Sequence, residues 1–347
     1  MEYRKLGNSG LIVSKVGLGT MNFGWDVWGC DEKTSFGIID KYIELGGNFI
    51  DTADMYAATE TEKIIGKALK TKKREDIVLA TKSGCVLPGS SINYRGSSRI
   101  NMEKALDDSL KRLKTDYVDV YYMHIMDFTT PFEESLNTLT NMVRKGKVRY
   151  IGASNFIGWQ ISEMASLWKN NITLEPLIAM QNQYNLVHRG IELEVIPSCK
   201  FNNIGLIVWG PLAGGLLSGV YSPDGKGPDD ERYTTDKKEY GKKAEFFSKR
   251  NLEILDKLIK IAEEIGISIA KLATSWVANN PNVTSYLAGC REVEHLALSM
   301  EAADFNIPED ALKEINDITK NQLFYPYTEQ ERYADPWFGN YRFIYER

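Results

Sequence analysis

Ile77-Val78-Leu79-Ala80-Thr81-Lys82 (IVLATK, residues 77–82) sets four apolar side chains in a row and ends on a lysine. Strict alternation would mark a sheet with one wet face, whereas an unbroken apolar run marks a strand buried on both faces. LIVW at 206–209 has the same character. Such strands belong to parallel sheets covered by helices. Working outward, further β-like runs fall at 13–18, 48–51, 118–124, 148–153, 177–181 and 285–289. Helical patterns lie between them at 33–45, 60–69, 101–113, 132–145, 157–168, 191–201, 252–264 and 293–303. In 101–113, Met102, Ala105, Leu106, Ser109, Leu110 and Leu113 form one stripe at three- and four-residue spacing. Eight strands, each followed by a helix, predict an α/β fold, a closed (β/α)8 TIM barrel. A doubly wound open sheet is the rival, but no GxGxxG follows a strand. YRKLGNSGLIVS (3–14) reads as a β-hairpin turning at GNSG and capping the barrel floor. The expected organisation is one barrel unit: hairpin 1–12, barrel 13–304 and C-terminal tail 305–347.

A chain of 347 residues, 43% hydrophobic and 26% charged, is long enough for one such barrel. Its formal charge of -5 gives no basic surface for nucleic acid or an anionic membrane. The start, MEYRKLGNSG, lacks the apolar core of a secretory signal. The longest apolar stretch, GLIVWGPLAGGLL (205–217), is too short and too broken by Gly and Pro to span a bilayer. Cys30, Cys85, Cys199 and Cys290 lie far apart without CxxC spacing. Neither zinc nor a disulfide framework is expected, and the cytoplasm is the expected compartment. Two long polar segments, 83–99 and 218–247, would leave C-terminal strand ends, where barrel active sites form. DGKGPDDERYTTDKKEYGKK (224–243), within the second, reads equally as a solvated flap or a ligand-closing lid.

The strand ends carry Asp51, Lys82, His124, Ser154-Asn155 and Gln181, with Tyr56 five residues past Asp51. Singly, each has a plain structural reading: a helix cap, a strand reaching water, a packed phenol, a hydrogen-bonded core imidazole. Together, Asp, Tyr, Lys and His make a proton-transfer set. A phenol, with a pKa of about 10, is too weak an acid for neutral pH. A neighbouring ammonium stabilises the phenolate, and a carboxylate fixes that ammonium and offsets the cost of burying it. A neutral imidazole orients a carbonyl or relays the proton. A metal-dependent hydrolase is disfavoured, since His124 with Asp127 supplies too few ligands.

The sequence resembles the aldo-keto reductase superfamily from about Tyr3 to Ala303. The matching motifs are VGLGTMNFG (16–24), NFIDTADMY (48–56), ETEKIIG (60–66), LATK (79–82), VDVYYMH (118–124), GKVRYIGASNF (146–156), MQNQYNL (180–186) and WGPLAGGLLSG (209–219). The resemblance implies NAD(P)H-dependent carbonyl reduction on a (β/α)8 barrel. It makes Tyr56 the general acid, Lys82 and Asp51 its tuning pair, and His124 the carbonyl-orienting residue. It assigns Ser154, Asn155 and Gln181 to the nicotinamide carboxamide, Trp209 to the ring face, and Gly19, Thr20 and Met21 to the space beneath the ribose. Gly210, Pro211 and Leu212 stand in place of the more usual Ser-Pro-Leu, which removes one hydroxyl contact to the phosphates. Ala213, Gly215 and Leu217 follow in a loop whose backbone N–H groups would approach the pyrophosphate. Gly289, Cys290, Arg291, His295 and Ser299 fall at the adenosine end. There His295 replaces the common Arg or Gln, and Leu298 and Ser299 replace a common acidic residue and asparagine. The guanidinium of Arg291 favours NADP(H) over NAD(H). Trp25, Ile125 and the two long segments would face the substrate, a small carbonyl compound: aldehyde, ketone or sugar. The aromatic segment FYPYTEQERYADPWFGNYRFIYER (324–347) would fold over the pocket mouth or pack outside the barrel or on another subunit. Two other readings stay open: a cofactor-binding interaction subunit, like the potassium-channel β subunits, and a sugar epimerase or lyase that holds NAD(H) permanently.

Overall fold

The structure, a computed structural model, describes residues 1–25, 29–227 and 246–338. β1 (Tyr3–Lys5) and β2 (Ile12–Ser14) pair antiparallel, with Arg4 opposite Val13. Eight strands follow: β3 (Val16–Gly19), β4 (Phe49–Asp51), β5 (Val78–Ser83), β6 (Val118–Met123), β7 (Val148–Ser154), β8 (Leu177–Gln183), β9 (Gly205–Trp209) and β10 (Ser285–Gly289). They run parallel in chain order and close into a barrel as β10 pairs back onto β3. All six residues of β5, the strand that begins inside IVLATK, are buried. Around the ring lie α1 (Glu32–Glu44), α2 (Glu60–Ala68), α3 (Arg99–Leu113), α4 (Phe132–Arg144), α5 (Gly158–Asn170), α6 (Val195–Asn202), α7 (Lys249–Glu264), α8 (Ile269–Ala278) and α9 (Val293–Asp304). Caps start several of them at the expected residue types: Asp31 accepts from Thr34 N in α1, and Ser248 and Ser268 do the same for α7 and α8.

The hairpin closes the floor. Leu6 and Val13, both fully buried, join Phe49, Val120, Tyr122, Ile207 and Leu287 inside the barrel. Burying such a side chain contributes about 1.5–3 kcal/mol. The fit is close at Gly7 (φ 57°), where a Cβ would lie 2.3 Å from the Ile178 carbonyl oxygen and 2.7 Å from Gly205 N. Only glycine meets both the left-handed backbone and that approach.

Three expectations are corrected. The run 13–18 is two strands, because Lys15 between them is buried and spent on Ala303 O (2.7 Å) and Asn279 Oδ1 (2.9 Å). Val13 and Ser14 therefore belong to the hairpin, which outruns its expected end at 12. The second correction is α8, absent from the expected helices. It is buried on nearly every side, so it lacks the one-sided stripe that marks a helix in sequence. Third, the tail is structured: α10 (Glu309–Thr319) packs on α7, and α11 (Tyr327–Phe338) follows. Segment 224–243 lies largely outside the described residues, as does the end of the tail beyond 338. Among the described residues no helix is long and apolar enough to cross a membrane.

Candidate active site

Strand register brings the polar strand ends together. Gly19 stands opposite Asp51 on one side and Gly289 on the other. Ser154 stands opposite Gln181, and Gln183 opposite Trp209. At the centre is Lys82, fully buried. An ammonium has three N–H donors. Here they go to Asp51 Oδ1 (2.5 Å), Thr52 O (2.8 Å) and the Tyr56 hydroxyl (3.3 Å). The other Asp51 oxygen accepts from Gln181 Nε2 at 2.8 Å, and its backbone carbonyl accepts from Thr20 N and Oγ1. Asp51 thus ties β3, β5 and β8 to β4. The His124 ring meets the Tyr56 ring edge-on, with centroids 5.9 Å apart.

The electrostatics follow from dryness. Burial drives the Asp51 carboxyl up, against the pull of Lys82 and Gln181. Burial alone would lower Lys82, but Asp51 and Tyr56 outweigh it and hold the ammonium above its ordinary value. For Tyr56, burial pushes the phenol up while Lys82 pulls it down, and burial wins. The expected acidifying pull of the lysine is present, but it does not set the net direction. Burial, aided by Lys82, lowers His124 to about 3, so its ring is neutral near pH 7. His124 Nδ1 is buried with no hydrogen-bond partner among the described residues.

Ser154, Asn155, Gln181 and Trp209 form one patch beside this cluster. Ser154 Oγ donates to Gln181 O (2.8 Å), Asn155 Nδ2 to His124 O (3.0 Å) and Trp209 Nε1 to Asn155 Oδ1 (3.3 Å). Asn155 holds φ at 60°, and positive φ recurs at Gly210, Ala213, Gly214 and Gly215. A chain bent that way turns successive N–H groups into an anion-binding concavity. Pro211, Leu212 and Leu217 complete this turn, with Leu217 N bonded to Leu212 O. Gly289 ends β10, and Arg291, His295 and Ser299 lie at or just before the first turns of α9, all half-buried. The Ser299 hydroxyl is spent on His295 O. Cys290 is fully buried and its thiol pushed up to about 12, so only its backbone faces a ligand. Met21 and Trp25 are half-buried in the loop after β3, and Ile125 is exposed just past His124.

Several site features escaped the sequence. Asp54, inside NFIDTADMY, is buried beside Glu62, and burial raises it to about 7. Glu62 is itself taken by the Thr81 hydroxyl and Arg112. Asp127, instead of serving a metal, accepts from Ser97 N, Thr129 and Thr130, which pins segment 83–99 to the loop after β6. Asn182 is buried with an unpartnered oxygen. A polar residue next to Gln181 in MQNQYNL was the available signal for it.

Comparison with known proteins agrees with this geometry. A family model described as the Aldo/keto reductase family matches residues 15–320. A Bacillus subtilis (strain 168) protein named uncharacterized oxidoreductase YrpG is 38% identical, spanning 92% of this chain and 96% of its own. Aldo-keto reductase YhdN of the same organism is 34% identical over 94% and 96%. A probable voltage-gated potassium channel subunit beta of Oryza sativa subsp. japonica is 35% identical over 88% and 92%.

Proposed function

This chain belongs to the aldo/keto reductase family, and on that premise we propose that it is an NAD(P)H-dependent carbonyl reductase with Tyr56 as its general acid. The observation that carries the reading is the single ammonium of Lys82 shared between Asp51 and Tyr56, with His124 against the phenol. The residues present suit a dinucleotide. Trp209 offers a flat face, the carboxamides of Asn155 and Gln181 lie beside it, and the left-handed turn from Gly210 to Gly215 aims N–H groups outward for a pyrophosphate.

When bound, the nicotinamide supplies the hydride that reaches the carbonyl carbon. Tyr56 gives its proton to the oxygen as negative charge develops there, and the alcohol results. Lys82 stabilises the phenolate left behind, and Asp51 keeps the ammonium in place at a cost the fold absorbs. Neutral His124 orients the carbonyl, and Tyr56 recovers its proton from solvent. We assign NADP(H) over NAD(H) on Arg291 at the start of α9, where a guanidinium suits a 2′-phosphate. The four unpaired cysteines support a reducing, cytoplasmic setting.

Tyr56→Phe removes the proton donor alone. It should abolish reduction of a simple aldehyde while NADPH affinity stays near wild type; retained turnover would show the acid to be another group. A second reading, a cofactor-holding interaction subunit, is favoured by the potassium channel relative. Steady NADPH consumption with the aldehyde decides for the enzyme, and tight cofactor binding without turnover decides for the partner.

A further inference from the structure

A second chamber of about 480 Å3 adjoins the catalytic cluster. It lies between the loops that follow β7 and β8 and the end of β9, with the tail as its outer wall. Asn155 and Trp209, joined by their 3.3 Å hydrogen bond, form the wall shared with the reductive centre. Phe156, Ile191 and Val195 make the lining apolar, and the tail adds the exposed ring of Phe324. The tail is fastened there. The Tyr327 hydroxyl donates to Glu194, Asn321 Nδ2 donates to Arg189 O (2.8 Å), and Arg250 reaches Lys320 O (3.2 Å).

One polar group in this lining is unspent. Asn182 is 7% exposed and gives its Nδ2 to Phe156 O at 3.1 Å, but its Oδ1 has no partner. Buried carbonyl oxygens nearly always accept a hydrogen bond. An oxygen left over in an apolar chamber of ligand size marks the place where a donor arrives with a guest.

We propose that this chamber is a subsite for the far end of the substrate, taking a flat apolar ring system whose hydroxyl or amino hydrogen meets Asn182 Oδ1. The inference rests on the carbonyl reductase reading of the adjoining centre. It selects an aryl aldehyde or ketone bearing a distal phenol or amine over a free aldose, whose many hydroxyls would find one acceptor among apolar walls.

The test uses ligands with no carbonyl, so that binding is read apart from turnover. A naphthol and its methyl ether are titrated calorimetrically into the full chain, into Asn182→Leu and into Ile191→Trp, which fills the chamber from a half-buried position. The naphthol should bind wild type about tenfold more tightly than the ether, the scale of one hydrogen bond. Asn182→Leu should erase that preference, and Ile191→Trp should weaken both ligands at least tenfold. Equal binding of the two ligands to wild type, or naphthol binding unchanged by Ile191→Trp, overturns the proposal; should Asn182→Leu fail to fold, those two results still decide. NADPH consumption by wild type with propanal is measured separately. Its absence alongside the expected binding would overturn the reductase reading and leave the chamber standing.

Discussion

Replacing Lys82 with methionine keeps the reach of the side chain and removes its ammonium. The carboxylate of Asp51, 1% exposed, is then left with Gln181 as its side-chain donor. Breaking a buried ion pair by deleting one partner costs about 3–5 kcal/mol. The stranded carboxyl recovers part of that by holding a proton, since burial already raises its pKa and the ammonium that opposed the rise is gone. The direction of the pH dependence follows. Below the unfolded carboxylate value of about 3.9, both states are protonated and nothing is lost by this route. As pH rises toward the elevated folded value, the unfolded chain ionises first, and stability falls by about 1.4 kcal/mol per pH unit. In urea, Lys82→Met should therefore unfold at a lower midpoint than wild type, and the gap should widen between about pH 5 and about pH 8. Combining it with Asp51→Leu removes the stranded charge and should restore most of the loss. A single variant within about 1 kcal/mol of wild type at the upper pH, or a gap that narrows as pH rises, refutes the reasoning.

Other expectations are simpler to state. With His124 held near 3, kcat/KM should show no limb at the ordinary histidine value of about 6.5. A limb there that vanishes in His124→Gln contradicts the neutral-imidazole assignment. Arg291→Met should raise the Kd for NADPH about tenfold or more, the scale of a charged hydrogen bond, while changing that for NADH little; equal losses would remove the argument for NADP(H). Gly7→Ala should lower the thermal midpoint, since φ is 57° and the new Cβ would press on the Ile178 carbonyl. A cost of about 1–3 kcal/mol is expected, and an unmoved midpoint would show that the floor yields.

The barrel and its reactive end were legible because both rest on local signals. A strand buried on two faces announces itself as an unbroken apolar run, and a lysine or aspartate ending such a run is conspicuous. What stayed hidden depends on neighbours far along the chain. The hydrogen bond from Gln181 to Asp51 joins residues 130 positions apart, and nothing near either residue foretells it. The upward shift of Tyr56 is likewise a property of the assembled interior, since the amount of burial decides whether the ammonium or the desolvation prevails. Helix α8 was masked by its apolar surroundings. The tail helices were masked differently, since a dense set of aromatics draws the eye to surface roles and away from periodicity. Lys15 shows the converse, a residue type that reads as solvent-facing yet lies buried on a carbonyl.

Keeping an ammonium and a carboxylate in the dry middle of a barrel sets durability against reactivity. Apolar residues of similar size at these two positions would leave the molecule as sturdy as before or sturdier, by about 1–4 kcal/mol in comparable cases. Heat tolerance gained there would come at the expense of the chemistry. Efforts to harden this protein should therefore begin at the floor and the helical shell, where extra packing strengthens the scaffold without silencing it.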